Sequence, residues 1–152
     1  MRSGITIPNG LAWSPDGATL YWAESTQAKV YAFPAPRDGD DLTGERVFID
    51  LRGQGVAPDG AAVDADGYLW SAHWDGWRVV RYRPDGGVDR IIDMPVQRPT
   101  CCAFGGPDLR TLYITSAWEG LTPEARAAQP HAGDLFALEV ETPGAIVSAF
   151  GA

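Results

Sequence analysis

Basic residues are scarce in this 152-residue chain: 12 Lys and Arg stand against 20 Asp and Glu, for a net charge of −8. Binding a nucleic acid requires cations clustered against phosphates, and no such cluster occurs, so nucleic acid is not an expected partner. Cysteine is nearly absent as well. Cys101 and Cys102 are the only two and are adjacent, whereas a disulfide framework needs spaced pairs. They read as small buried hydrophobes in a reducing compartment. Long apolar runs are also missing. No segment approaches the ~20 apolar residues of a membrane helix, and "MRSGITIPNG" lacks the apolar core of a signal peptide. The expected setting is the cytoplasm with no membrane partner, although a signal preceding Met1 would change that.

The usual catalytic signatures are missing too. The two histidines, His73 and His131, lack metal-ligand spacing, which argues against a His-rich zinc site. Ser14, Ser71 and Ser116 do not stand in a G-x-S-x-G elbow, so a serine nucleophile is unsupported. No P-loop or G-x-G-x-x-G follows a strand-like run.

What the chain does contain is glycine (18), proline (12) and a hydrophobic fraction of 45%, a composition of many short strands and turns around a real core. It also contains a repeat. "IPNGLAWSPDGATLYWAES" at 7–25 nearly recurs as "APDGAAVDADGYLWSAH" at 57–73, and a third copy starts at Pro99-Thr100. Each copy runs through small apolar residues into a Gly- or Asp-bearing turn ("SPDG", "DADG", "GGPD"). A second apolar run follows: "LYWA", "LWSA" and "LYIT". Further strand-like runs fall at 29–34, 46–50, 77–82, 88–93, 134–139 and 145–149, giving four strands per copy and twelve in all. Repeats of about 40–50 residues with four strands each are the mark of propeller blades. The expected fold is therefore all-β, one domain over 1–152, with three four-stranded blades at about 5–52, 53–95 and 96–152.

In a propeller the inner strands line a central channel, so residues at equivalent ends of those strands converge. Asn9, Asp59 and Thr100 share one repeat frame. An Asp carboxylate and an Asn carbonyl are hard oxygen donors suited to Ca²⁺, Mg²⁺ or Mn²⁺, and two of them are too few for a tight site. The competing reading is that Asn9-Gly10 and Asp59-Gly60 are ordinary turns, as Asp16-Gly17, Asp66-Gly67 and Asp85-Gly86 are expected to be. His73 ends its strand where it either lines the channel mouth or fills a structural place. Trp74 and Trp77 serve either packing or a sugar platform. In "LTPEARAAQPHAG" at 121–133, Thr122, Pro123 and Glu124 signal a short helix over about 123–128, as a lid or as a surface excursion.

These segments, with "RVVRYRPDG", "PTCCAFGGPDLRTLYITSA" and "QPHAGDLFAL" in order, resemble the regucalcin/gluconolactonase/luciferin-regenerating-enzyme family, and specifically its C-terminal half. The resemblance implies a six-bladed propeller holding one divalent metal (Ca, Zn, Mg, Mn or Fe) in its channel. It also implies metal-dependent hydrolysis of sugar lactones. By it, Asn9 and Asp59 are metal ligands and Asp59 is the general base. From their own positions, Thr100 in the repeat frame and His73 at its strand end, these two are candidate contacts for the small-molecule sugar lactone. Six blades need about 240–300 residues, so the family's metal-binding Glu and earlier substrate contacts have no counterpart here. The expectation is that a missing N-terminal half or a second copy completes the ring. The alternatives are a non-enzymatic calcium- or protein-binding propeller and an inactive fragment.

Overall fold

Short apolar runs, several of them closed by Asp-Gly turns, become antiparallel sheets through the described residues. The structure, a computed structural model, describes residues 3–36 and 41–146. The first sheet contains β1 (Pro8–Trp13), β2 (Thr19–Glu24), β3 (Lys29–Pro34) and β4 (Arg46–Asp50), in that order. The second contains β5 (Ala57–Val63), β6 (Leu69–Trp74), β7 (Arg78–Tyr82) and β8 (Val88–Asp93), and the third β9 (Pro99–Gly105), β10 (Thr111–Ser116) and β11 (Leu135–Glu139). The leading strands β1, β5 and β9 lie side by side, so the three sheets form consecutive blades of a propeller-like arc. No helix among the described residues is long and apolar enough to cross a membrane.

Blade stacking explains the strand compositions. β2 and β6 are buried along almost their whole length because a neighbouring layer covers each face. On β2 and β3, Tyr21, Ala23, Val30 and Ala32 point towards the second blade and pack with Val63, Leu69, Val80 and Tyr82. The alternate residues Leu20, Trp22, Tyr31 and Phe33 form a separate cluster on the opposite face, as the period of two requires. Between the second and third blades, Trp70, Ala72 and Val79 meet Cys102, Leu112 and Ile114. The hairpins close as the sequence indicates: Gly17, Gly67 and Gly86 have φ of +68°, +83° and +88° and donate N–H to the carbonyls of Ser14, Asp64 and Arg83 at 2.8, 2.9 and 2.8 Å.

The third blade departs from the twelve-strand expectation, since its described part has three strands. Ala145 and Ile146 of the expected 145–149 strand are not in a strand, and 147–149 lie outside the described residues. After β11 the chain crosses to the base of the second blade instead. Ala65 N–H donates to the Pro143 carbonyl at 2.8 Å and Ala145 N–H to that of Val63 at 3.0 Å. This seam meets a buried ion-pair centre. Asp64 is fully buried, and its carboxylate accepts from the Asp66 and Tyr68 amides (3.1 and 3.0 Å), Trp70 Nε1 (2.9 Å) and Arg81 Nε (2.8 Å). Arg81 also bonds Asp89 at 2.8 Å and lies over the Tyr68 ring at 3.8 Å.

The helix expected near 123–128 is present as α1 (Pro123–Ala127), with Thr122 Oγ1 accepting the Ala125 amide at 3.2 Å. Its segment is tied to the blades rather than loose. Buried Gln129 accepts the Gln97 amide at 2.6 Å, and Ser116 Oγ donates to the Asp134 carbonyl at 2.8 Å.

Candidate functional site

Each inner strand carries an irregularity at the same place. The pairing register slips between Asn9 and Ala12 in β1, between Pro58 and Ala61 in β5, and at Thr100 in β9, opposite Thr115–Ser116. A bulge turns a side chain out of the strict in–out alternation, and here it turns Asn9 and Asp59 towards each other. Asn9 Nδ2 donates to Asp59 Oδ1 at 2.5 Å, although the two residues are 50 positions apart. Asn9 Oδ1 accepts the Gly10 amide at 3.0 Å.

The glycines after these residues are therefore not turn glycines. Asn9-Gly10 and Asp59-Gly60 lie within β1 and β5. A Cβ on Gly10, whose φ is +52°, would stand 2.6 Å from the Asp59 carbonyl oxygen, and one on Gly60 would stand 2.6 Å from Cys101 Cβ. Glycine is required because the inner strands converge there, which also brings the two polar side chains together. Cys101 corrects the expectation for the cysteine pair. Cys102 is buried, but Cys101 is exposed beside Gly60, since neighbours on a strand face opposite ways. Burial raises both thiol pKa values, so neither is activated as a thiolate.

Asp59 is half-buried, and desolvation lifts its carboxyl pKa above the usual value against the opposing effect of the Asn9 and Gly60 hydrogen bonds. Ser25, in the 3-10 turn after β2, braces the pair. Its Oγ donates to the Pro58 carbonyl at 2.7 Å and accepts from Asn9 Nδ2 at 3.5 Å. Glu24, fully buried, holds the entry to β1 by accepting the Thr6 and Ile7 amides at 3.0 and 3.3 Å. A depression of about 390 Å³ opens over the pair, lined by the polar residues Asn9, Ser25, Thr26 and Asp59 and the apolar residues Ile7, Ala57 and Trp74. Ser25 is not among the expected ligands or substrate contacts, and Trp74 is expected either to pack or to serve as a sugar platform. Their signal is the repeat itself, because Pro8 pairs with Glu24 and Pro58 with His73, so Ser25 and Trp74 are corresponding residues.

Thr100 occupies the third position of the frame, with its hydroxyl 2.7 Å from that of Thr115. His73 is not brought to the mouth. It is fully buried, with Nδ1 accepting from Arg78 Nε at 3.1 Å and Nε2 facing the Tyr82 hydroxyl at 3.2 Å. Accepting at Nδ1 places the ring proton on Nε2. Burial, reinforced by the Arg78 charge, pulls its pKa down to about 3. A folded-state value below the unfolded 6.5 means that stability is fully present above pH 6.5 and is lost as pH falls towards 3. Urea unfolding should therefore weaken by up to about 1.4 kcal/mol per pH unit between pH 6.5 and 5 from this residue. His73→Gln should flatten that slope; equal slopes in the two proteins would exclude the imidazole as its source.

The donor chemistry of Asn9 and Asp59 fits a hard divalent cation. Rotating the Asn9 amide presents Oδ1 instead of Nδ2 to the space beside Asp59. The number of donors falls short: no group of three or more His, Cys, Asp or Glu suited to an ion occurs among the described residues.

Comparison with known proteins gives the family. The SMP-30/gluconolactonase/LRE-like region matches residues 1–118, and the chain belongs to this family. The 6-deoxy-6-sulfogluconolactonase of Pseudomonas putida is 44% identical over 144 residues, covering 95% of this chain and 50% of that protein. The L-arabinolactonase of Azospirillum brasilense is 38% identical, covering 95% of this chain and 47% of that protein. Among solved structures, the calcium-binding protein regucalcin of Agrobacterium tumefaciens superposes with a TM-score of 0.86 at 38% identity, over 92% of this chain and 48% of that one. The chain spans about half the length of the relatives it matches.

Proposed function

We propose that this chain supplies half of the channel of a divalent-metal-dependent sugar lactonase. Asn9 and Asp59 would hold the metal and Asp59 would act as general base. The observation that carries this reading is the convergence of Asn9 and Asp59, from two bulged inner strands, at the floor of one depression. The names of the relatives, lactonases of two different sugars, support the substrate class.

A bound divalent cation would supply Lewis-acid polarisation of the lactone carbonyl. The residues of the chain do the rest. Ser25 Oγ holds the Pro58 carbonyl, and so the backbone that carries Asp59. That carboxylate takes a proton from a water whose oxygen attacks the carbonyl carbon. The ring C–O bond then breaks, the ring oxygen leaves as a hydroxyl after protonation, and the product is a hydroxy acid. Thr100 is assigned to the sugar hydroxyls, whereas His73 has no open path to a ligand. The remaining donors and the facing wall come from outside these three blades, either from further polypeptide or from a second copy closing the ring.

The test is hydrolysis of a panel of aldonolactones after chelation and re-addition of Ca²⁺, Zn²⁺, Mg²⁺, Mn²⁺ or Fe²⁺. The expected result is loss on chelation and recovery with at least one ion. Spontaneous rates under every condition, with a monomer by light scattering, would mean that three blades alone do not make the enzyme.

A further inference from the structure

The depression over Asn9 and Asp59 takes its walls from two blades. The first blade brings the hydroxyls of Ser25 and Thr26 with Ile7 beside them, Ser25 N–H donating to the Ile7 carbonyl at 3.2 Å, and the second blade brings Ala57 and the Trp74 ring. Trp74 is the largest side chain there, and the structure fixes it. It ends β6 and is half-buried, unlike Trp70 four residues earlier, which is sealed in the interblade core. The Arg98 guanidinium lies over its ring, 4.7 Å from the centroid. Arg98 is itself held by Asp75 Oδ1 at 2.6 Å and by the Glu119 carbonyl. The loop that follows turns sharply, with Asp75 and Trp77 at φ of +61° and +55°. Positive φ is uncommon in a bulky residue and persists only where the surroundings impose it. An aromatic ring clamped in place and bordering a cavity that also takes hydroxyls from the neighbouring blade matches the two-faced surface of a sugar, which has C–H bonds on its faces and hydroxyls around its rim.

We infer that Trp74 is the stacking platform for the ring of an uncharged aldonolactone, with the sugar's rim hydroxyls turned towards Ser25, Thr26 and Asn9. No Lys or Arg lines this depression among the described residues, in keeping with a neutral ring. The inference rests on the lactonase reading for its substrate class, but it concerns binding and is tested by binding.

The experiment titrates the full chain, with divalent metal present, with gluconolactam, a neutral lactam isostere that hydrolysis does not consume. The indole N–H resonances are followed by NMR, with Trp74→Tyr identifying the Trp74 signal. The Trp74 resonance should shift on titration. Trp74→Ala should weaken binding about tenfold or more, while Trp74→Tyr, which keeps an aromatic face, stays within about threefold of wild type. In hydrolysis the same Trp74→Ala loss should appear in KM with kcat little changed. An unshifted Trp74 resonance at saturating lactam, no lactam binding by wild type, or equal affinity in Trp74→Ala overturns the platform. If Trp74→Ala unfolds, the Tyr variant and the resonance shift still decide. Failure of the lactonase reading is seen separately, as wild-type protein that binds lactam through Trp74 but hydrolyses no lactone with any metal.

Discussion

Asp59→Asn is expected, on the proposed lactonase reading, to lower sugar-lactone hydrolysis by about 10²- to 10⁴-fold, the range of a lost general base, with no loss of stability. The substitution keeps the shape of the side chain, and residue 59 Oδ1 can still accept from Asn9 Nδ2, a contact of 2.5 Å in the wild type. What disappears is the negative charge that, under the proposed function, would draw a proton from water and bind a cation. The stability side has a definite sign. Burial raises the Asp59 pKa, so holding the carboxylate ionised costs the folded protein stability that the unfolded chain does not lose. A neutral amide escapes that penalty, and the thermal midpoint should stay level or rise. Activity falling while stability holds is the signature of a residue kept for chemistry at a cost to the fold. The measurement is pH-stat hydrolysis at saturating metal, with a thermal melt of each protein. Equal rates in the two proteins would remove Asp59 from the mechanism, and a fall in both rate and midpoint would make its role structural.

The blade architecture was readable because its signals are local: Asp-Gly hairpins, short β-branched and aromatic runs, and their recurrence. The departures all involve distant partners. Nothing near residue 144 indicates that Gly144 will bridge Asp64 and that Ala145 will bond to the end of β5 instead of extending the third blade. Asn9-Gly10 and Asp59-Gly60 have the composition of turns, and only the approach of one inner strand to the next distinguishes a glycine for close packing from one for a turn. His73 shows the same limit. Its position at the end of a strand is compatible with the mouth, and its burial is decided by Arg78 and Tyr82 on the neighbouring strand. The frame located Asn9 and Asp59 correctly at one end of adjacent strands. It also contained Ser25 and Trp74, one residue beyond the paired positions, where the depression takes its shape.

Asp64→Ala is expected to be the most destabilising change at the base of the second blade, costing about 3–5 kcal/mol. The carboxylate is fully buried and serves four donors at once, two backbone amides, the Trp70 indole and Arg81. Removing it leaves those donors in a site that water does not reach, each costing about 1–3 kcal/mol if it finds no other partner. Arg81, with its side chain 11% exposed, keeps Asp89 at 2.8 Å but loses the 2.7 Å pair that holds it under the sheet. The guanidinium also packs on Tyr68 and reaches Thr142 Oγ1 at 3.4 Å, so its release should loosen the 142–145 crossing as well. For a chain of this size the loss corresponds to a fall in thermal midpoint of about 6–20 °C. Adding Arg81→Met to Asp64→Ala should restore part of the loss, because much of the penalty is a largely buried charge left with Asp89 as its remaining hydrogen-bonded carboxylate rather than the worth of the pair. Urea unfolding of the two single variants and the double variant measures this coupling. A single-variant cost below about 1 kcal/mol, or strictly additive losses, would mean that water or Asp89 takes over the role of Asp64, and that the second blade is held by its apolar interfaces alone.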